Sequence, residues 1–140
     1  MKHLLAIVAL IVASVPAMAC SIVFGPPATE FAESDTVVMA VPVAISFKPE
    51  EASDPKFSQK FRQTILWEVL LSWKGPLVSG DKFTTRRNID LEQCTSYFPV
   101  RDTSARLIYA RGQQPFADFH HHGVERSKYR FQFLSRQPLQ

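Results

Sequence analysis

The sequence has 140 residues, of which 46% are hydrophobic and 21% charged, and 16 Lys and Arg against 13 Asp and Glu give a formal charge of +3. This composition excludes a disordered tail, a collagen-like repeat and a multidomain enzyme. Basic residues exceed acidic ones only slightly, and they are scattered along the sequence. This pattern argues against nucleic-acid binding, because that function needs a concentrated basic surface.

The first residues predict a removable signal peptide. An apolar run over residues 4–15 follows a basic start, and Ala17-Met18-Ala19 forms a small-x-small cleavage site. Residues 1–19 are therefore expected to be a signal peptide, and residues 20–140 a single exported domain in the periplasm, on the cell surface or outside the cell. The apolar run is too short to span a bilayer and has no counterpart downstream, so a multispanning membrane protein is excluded.

Export changes the expected chemistry of the two cysteines. An oxidising compartment favours disulfides, so Cys20 and Cys94 are expected to form one bridge. Closing the loop between them would stabilise the fold by roughly 4.5 kcal/mol through the chain entropy removed from the unfolded state. The bridge would also hold the mature amino terminus against the body of the domain.

The first elements after the signal peptide are a short helix and two strands. Residues 29–33 follow two prolines and predict one or two helical turns. The Val- and Ile-rich segment 36–47 predicts a strand in which Pro42 causes an edge, a bulge or a bend. The clearest strand is predicted over 61–73. Alternation places Ile65, Trp67, Val69, Leu71 and Trp73 on one of its faces, while Gln63, Glu68 and Ser72 mostly lie on the other.

Three further strands are predicted over 81–88, 105–111 and 128–134, and in the last of them aromatic and polar residues alternate. The segments 48–60 and 113–127 are predicted to be loops. The aromatic side chains of the strands are expected in the core. Five strands with one short helix predict an all-β, mainly β domain with the architecture of an OB-fold-like barrel.

Several short motifs occur along the chain in an order that suggests a protein family. They are Cys20-Ser21 after the signal peptide, Phe31 with Ser34-Asp35-Thr36-Val37-Val38, Trp73-Lys74-Gly75, Cys94, and Leu107-Ile108-Tyr109-Ala110. In this order they resemble the netrin-like modules and, within them, the tissue inhibitors of metalloproteinases (TIMPs) and their short bacterial relatives. The resemblance covers most of the mature chain and implies a five-stranded OB-type barrel.

The resemblance also implies a function. In the inhibitors, the α-amine and carbonyl of the amino-terminal cysteine chelate the catalytic zinc of a protease, and the next side chain enters its specificity pocket. By position, Cys20 takes the first role and Ser21 the second, with cleavage directly before Cys20. The sequence departs from the family in one respect: Ile22 and Leu134 stand where many modules have a second disulfide.

A second interpretation remains open. The chain would then be a periplasmic or surface interaction module whose disulfide is only structural, or a lipoprotein tethered at Cys20, since bacterial lipoproteins are acylated at a cysteine in this position. Acylation would block the α-amine, so tethering and zinc chelation exclude each other. Under either interpretation we expect the protein to be a monomer that binds neither nucleic acid nor a cofactor. We expect it to contact a membrane only if a lipid is attached to Cys20.

The run His120-His121-His122 is expected to be a solvated loop. His120 and His122 are weak metal-ligand candidates, because side chains at i and i+2 of an extended segment face the same way, and Asp118 could add a carboxylate. No catalytic residue is expected, since all mature histidines lie in this one segment and Cys94 is expected to be oxidised. The sequence therefore predicts a protein that is not an enzyme.

Overall fold

The computed structural model describes residues 24–49, 60–90, 98–99 and 101–140. Its elements in chain order are helix α1 (Pro27–Glu33), strands β1 (Thr36–Pro49), β2 (Lys60–Lys74), β3 (Lys82–Asp90), β4 (Arg106–Arg111) and β5 (Asp118–Gly123), a 3-10 turn (Val124–Arg126) and helix α2 (Lys128–Leu134). Within this described part, neither helix has the length and apolar character that crossing a membrane requires.

The five strands form one antiparallel sheet in the order β3-β2-β1-β4-β5. The sheet is not closed. The segment just before the edge strand β5 nevertheless reaches the other edge at one point, where Phe116 forms a parallel bridge with Thr85 of β3. The Phe116 N–H donates to the Thr84 carbonyl at 2.9 Å, and the Arg86 N–H donates to the Phe116 carbonyl at 2.8 Å. A partly open five-stranded barrel is typical of the OB fold, so the predicted fold class is confirmed.

The prediction for α1 and the first four strands is confirmed, including the irregularity at Pro42. The pairing of β1 with β2 shifts register between Pro42 and Ala44. On its other side β1 pairs with β4 only as far as Ala40, so Pro42 lies beyond that ladder. A residue without an N–H group is tolerated in such a position, because the ladder loses no hydrogen bond there.

Both faces of the sheet bury apolar side chains. The inner cluster, on the concave face, consists of Val38, Ala40, Ile65, Trp67, Val69, Leu77, Phe83, Phe98, Ile108, Ala110, Phe116 and Phe119. The outer cluster, beneath the two helices, consists of Val37, Trp73, Leu107, Tyr109 and Leu134, with Phe31, Met39, Leu71, Phe131 and Phe133 packed against it.

The single-face assignment in β2 is wrong for Leu71 and Trp73. Ala40 pairs with Val69 and Met39 pairs with Leu71, so Leu70 is an extra residue, a β-bulge. Because strand side chains alternate with a period of two, this extra residue moves Leu71 from the inner to the outer cluster. A second register shift, between Val37 and Val38, leaves Trp73 without a partner in β1, and Trp73 also lies in the outer cluster.

The polar side of β2 needs the same correction. Gln63 lies on the face of Ile65 and is buried, because it exchanges two hydrogen bonds with the Phe98 backbone: Nε2 donates at 2.7 Å and Oε1 accepts at 3.1 Å. Ser72 is also buried, opposite Val38 of the inner cluster. Gln63 is therefore a paired polar residue at an inner position, whereas the Ser72 hydroxyl has no hydrogen-bond partner among the described residues.

The carboxyl-terminal prediction is wrong in two places. The predicted loop 113–127 contains β5, and the predicted strand 128–134 is helix α2, so the described residues form two α-helices where one was predicted. Phe131 and Leu134 are three residues apart and both reach the outer cluster, which is helical spacing, whereas Tyr129 is 78% exposed. Leu134 is therefore a buried residue at the end of a helix and does not occupy a strand position.

Candidate functional site

The residues assigned to zinc chelation, Cys20 and Ser21, and the predicted disulfide partner Cys94 lie outside the described residues. The nearest described position is Phe24, four residues after Cys20. The Phe24 ring lies 4.3 Å from the His122 ring, centroid to centroid, and 5.5 Å below the Arg130 guanidinium. Phe24 thus packs onto a cluster of ionisable side chains.

That cluster consists of Glu30, His120, His122 and Arg130, and we call it the Glu–His cluster. Alternation along β5 directs His120 and His122 to the outer face, where their partners across the ladder are Tyr109 and Leu107. Helix α1 contributes Glu30 and α2 contributes Arg130. Helix α1 and the carboxyl-terminal elements β5 and α2, about ninety positions apart in the chain, therefore meet at one place.

An ion pair joins the two helices within the cluster. Arg130 donates to both Glu30 oxygens, with Nε 2.8 Å from Oε2 and Nη2 2.9 Å from Oε1. The Glu30 side chain is 6% exposed and the Arg130 side chain 15%. A bidentate guanidinium–carboxylate pair is the arrangement that best compensates a buried charge, so this contact fixes the position of the carboxylate.

The two histidines approach the same carboxylate without bonding to it. His122 Nε2 is 3.6 Å from Glu30 Oε2, and His120 Nε2 is 3.9 Å from Oε1, distances too long for hydrogen bonds. Both nitrogens are buried and have no hydrogen-bond partner among the described residues, and the same holds for the hydroxyl of Tyr109, which stacks on His120. Buried polar atoms normally have partners, so this concentration of unpaired ones distinguishes the site.

Burial keeps both imidazoles neutral. It lowers the pKa of His122 to about 4, an effect that the Arg130 charge reinforces and the Glu30 charge opposes. Burial also lowers the pKa of His120. Neutral imidazole is the form that binds metals, so each ring can offer a nitrogen lone pair at neutral pH.

The middle histidine of the run has a different environment. His121 points to the inner face, where its ring lies 5.3 Å from the Phe98 ring and 6.4 Å from the Trp67 ring, centroid to centroid. Burial, with the charges of Arg87 and Arg106, lowers its pKa to about 4. His121 is thus a neutral residue packed within the barrel, and it is separated from the Glu–His cluster by the sheet.

The prediction of a solvated loop at the histidine run is therefore wrong. The run is a strand covered on its outer side by α1 and α2, which explains its burial. The carboxylate that joins His120 and His122 is Glu30, whereas the predicted Asp118 is exposed and lies 3.9 Å from Arg111. Glu30 is about ninety positions away in the chain, so no local spacing marks it as a partner.

The Trp73-Lys74-Gly75 motif holds α1 in place. The Trp73 ring packs against Phe131 of α2 at 6.2 Å between centroids. Lys74 Nζ donates to the Phe31 and Ala32 carbonyls at 2.9 and 3.1 Å, which satisfies acceptors at the end of α1 and places a cation beside the negative end of its dipole. Gly75 allows the turn to approach the chain between α1 and β1.

The expectation that aromatic residues form the core is confirmed for the strands. Trp67, Trp73 and Tyr109 are all buried, and Trp67 Nε1 donates to Thr85 Oγ1 at 2.8 Å. Phe131 and Phe133 pack against the outer cluster from α2. These rings are occupied in packing, so they offer no stacking surface for bases or sugars.

Comparison with known proteins gives no family assignment: no protein-family model matches the chain, and no curated protein matches it significantly.

Proposed function

We propose that the chain is an exported protein-binding module that inhibits a zinc metalloprotease through its amino terminus. In this proposal the α-amine and carbonyl of Cys20 chelate the catalytic zinc, and Ser21 enters the specificity pocket. The observation that carries the proposal is the sheet itself, whose five strands and partial closure at Phe116 agree with the OB-type barrel that the resemblance to TIMPs implies.

The Trp73-Lys74-Gly75 motif supports the proposal further. The motif belongs to the resemblance, and each of its residues contacts a described element near Phe24: Trp73 contacts α2, Lys74 the end of α1, and Gly75 the link to β1. The motif that this chain shares with the inhibitors therefore lies in the part of the fold that would support an inhibitory amino terminus.

The chemistry of the proposal requires a free and rigid terminus. A neutral amine donates its lone pair to zinc and takes the coordination position of the catalytic water, and the carbonyl oxygen completes a five-membered chelate. A Cys20–Cys94 bridge would hold the chelating atoms in place, and packing of Phe24 on the Glu–His cluster would limit movement from the other side. Little conformational entropy would then be lost on binding.

The proposal is tested by inhibition assays with two forms of the mature chain. One form begins at Cys20, and the other carries one additional alanine before it, which removes the α-amine from the chelating position. We expect the first form to inhibit a zinc metalloprotease and the extended form to inhibit at least about a hundredfold more weakly, a loss of roughly 2.7 kcal/mol of binding free energy. A serine protease serves as the control enzyme.

Equal inhibition by both forms would contradict chelation by Cys20. Absence of inhibition by either form, across zinc proteases with different specificity pockets, would favour the alternative of a periplasmic or surface interaction module. The observation in favour of that alternative is the position of Cys20 directly after a cleavage site, where a lipid anchor could be attached. An OB-type barrel supports many functions, so the alternative needs no change in the fold.

A further inference from the structure

We propose that Glu30, His120 and His122 form a binding site for a divalent transition metal, for which Zn²⁺ is the suitable probe. This site is distinct from the proposed inhibitory terminus, because it belongs to the chain itself and uses neither Cys20 nor Ser21. Two imidazoles and one carboxylate suit zinc and related ions, which combine nitrogen and oxygen ligands.

The donor atoms lie near enough to one another to hold such an ion once the side chains move closer together. One ligand atom from each of the three residues lies within 4.8 Å of the others. In a tetrahedral zinc site with bonds of 2.0–2.1 Å, neighbouring ligand atoms are about 3.3–3.4 Å apart. The 3.6 Å contact of His122 and the 3.9 Å contact of His120 reach different oxygens of Glu30. Binding of one ion would therefore require the ligand atoms to approach one another by up to about 1.4 Å, a distance that side-chain rotation can supply.

The unpaired nitrogens provide an independent reason for the assignment. The His122 side chain is 7% exposed, and its Nε2 has no hydrogen-bond partner in the described part of the chain, although it is directed towards Glu30. His120 Nε2 is in the same situation. A metal bound between these atoms would use both lone pairs, and the cost of burying them without partners would disappear.

The scaffold holds the three ligands in a fixed arrangement. His120 and His122 project from one face of a paired strand, and Tyr109 stacks on His120 with an interplanar angle of 7°. Arg130 holds Glu30 through both oxygens, and each oxygen retains a second lone pair for a metal. Hydrogen bonds to a ligating carboxylate are common around metal sites and orient the ligand.

The Arg130 charge should set the affinity of the site. It cancels the charge of Glu30, so a bound divalent cation would bring two uncompensated positive charges into a largely buried region. We therefore expect modest affinity in the unaltered chain and tighter binding when Arg130 is replaced by an uncharged residue. Three protein ligands also leave one position for water or an external ligand, as in catalytic rather than structural zinc sites.

The test is a zinc titration of the complete mature chain, freed of metal and with its disulfide intact, by calorimetry. We use the alanine-extended form, because the extension removes the proposed Cys20 chelate and leaves this site unchanged. We expect one zinc per chain, and at least about tenfold weaker binding in His120→Gln and Glu30→Gln. Matched controls are His121→Gln, on the opposite face, and Asp118→Asn, on the surface; neither should alter the affinity.

An Arg130→Met variant gives a second, independent readout. Without metal it should melt at a lower temperature than the unaltered chain, because Glu30 loses its partner, and zinc should raise its melting temperature by more than that of the unaltered chain. The proposal is overturned if no zinc binds, or if His120→Gln and Glu30→Gln bind zinc as the controls do. Failure here would leave inhibition by the Cys20 form unaffected, so the two proposals fail separately.

Discussion

Gly75 illustrates how one residue determines the approach of the β2 turn to the start of β1. Its φ is +100°, a region that side chains rarely adopt, and an added Cβ would lie 2.7 Å from Thr36 Oγ1 and 2.8 Å from the Asp35 carbonyl oxygen. The turn at residues 74–76 was predictable from its Lys-Gly-Pro sequence. The close contact with Thr36 was not, because it depends on where a distant segment lies.

We expect Gly75→Ala to lower the free energy of unfolding by roughly 2–3 kcal/mol, since it combines backbone strain with a steric clash. The matched control is Gly80→Ala. Gly80 has a φ of +89° but no atom within 4 Å of an added Cβ, so strain alone should cost about 1 kcal/mol. Urea denaturation measures both values. Equal losses in the two variants would show that the contact with Thr36 and Asp35 has no energetic importance.

At the scale of elements, hydrophobic pattern identified the strands with an apolar face and failed where polar residues are buried. The Val- and Ile-rich β1 and the alternating β2 were predicted within a few residues. Strand β5 was missed because four of its six residues are histidine or aspartate. Their burial depends on α1 and α2, so it cannot be read from the strand itself.

The bulge at Leu70 could not be predicted from the sequence either. The pairing with the bulge and the pairing without it both place large apolar residues on a face of the sheet. Leu70 is 36% exposed, so Leu70→Ser should change stability by no more than about 0.5 kcal/mol. Deleting Leu70 should cost at least about 3 kcal/mol, because Leu71 and Trp73 would lose their places in the outer cluster. Chemical denaturation compares the two variants. A deletion as mild as the substitution would contradict the bulge.

Helix α2 was predicted as a strand because its three aromatic residues, Tyr129, Phe131 and Phe133, alternate with polar ones over a segment of only seven positions. Its role can be tested at Leu134, its one fully buried side chain. Leu134→Ala should destabilise the fold by about 3 kcal/mol, whereas Leu139→Ala, at a position 59% exposed, should have an effect below about 0.5 kcal/mol. Thermal denaturation of the two variants measures the difference, and similar melting temperatures would argue against the docking of α2.

In the whole molecule, the mainly β class was predictable from the first four strands, whereas the count of five was right only because the missed β5 replaced the wrongly predicted strand 128–134. The Glu–His cluster was not predictable. The spacing of His120 and His122 predicts that their side chains face the same way. Glu30 and Arg130 join them only through tertiary structure. The assignments of Cys20, Ser21 and Cys94 stay predictions. The cluster lies against Phe24, four residues after Cys20.

Inhibition through Cys20 is tested by the intact mass of the exported protein, measured without reduction, together with its amino-terminal sequence. We predict a chain that begins at an unmodified Cys20 and is lighter by two hydrogens than its reduced form, as a Cys20–Cys94 bridge requires. A lipid on Cys20, or cleavage at another residue, would remove the free amine in the chelating position and contradict the inhibitory mechanism.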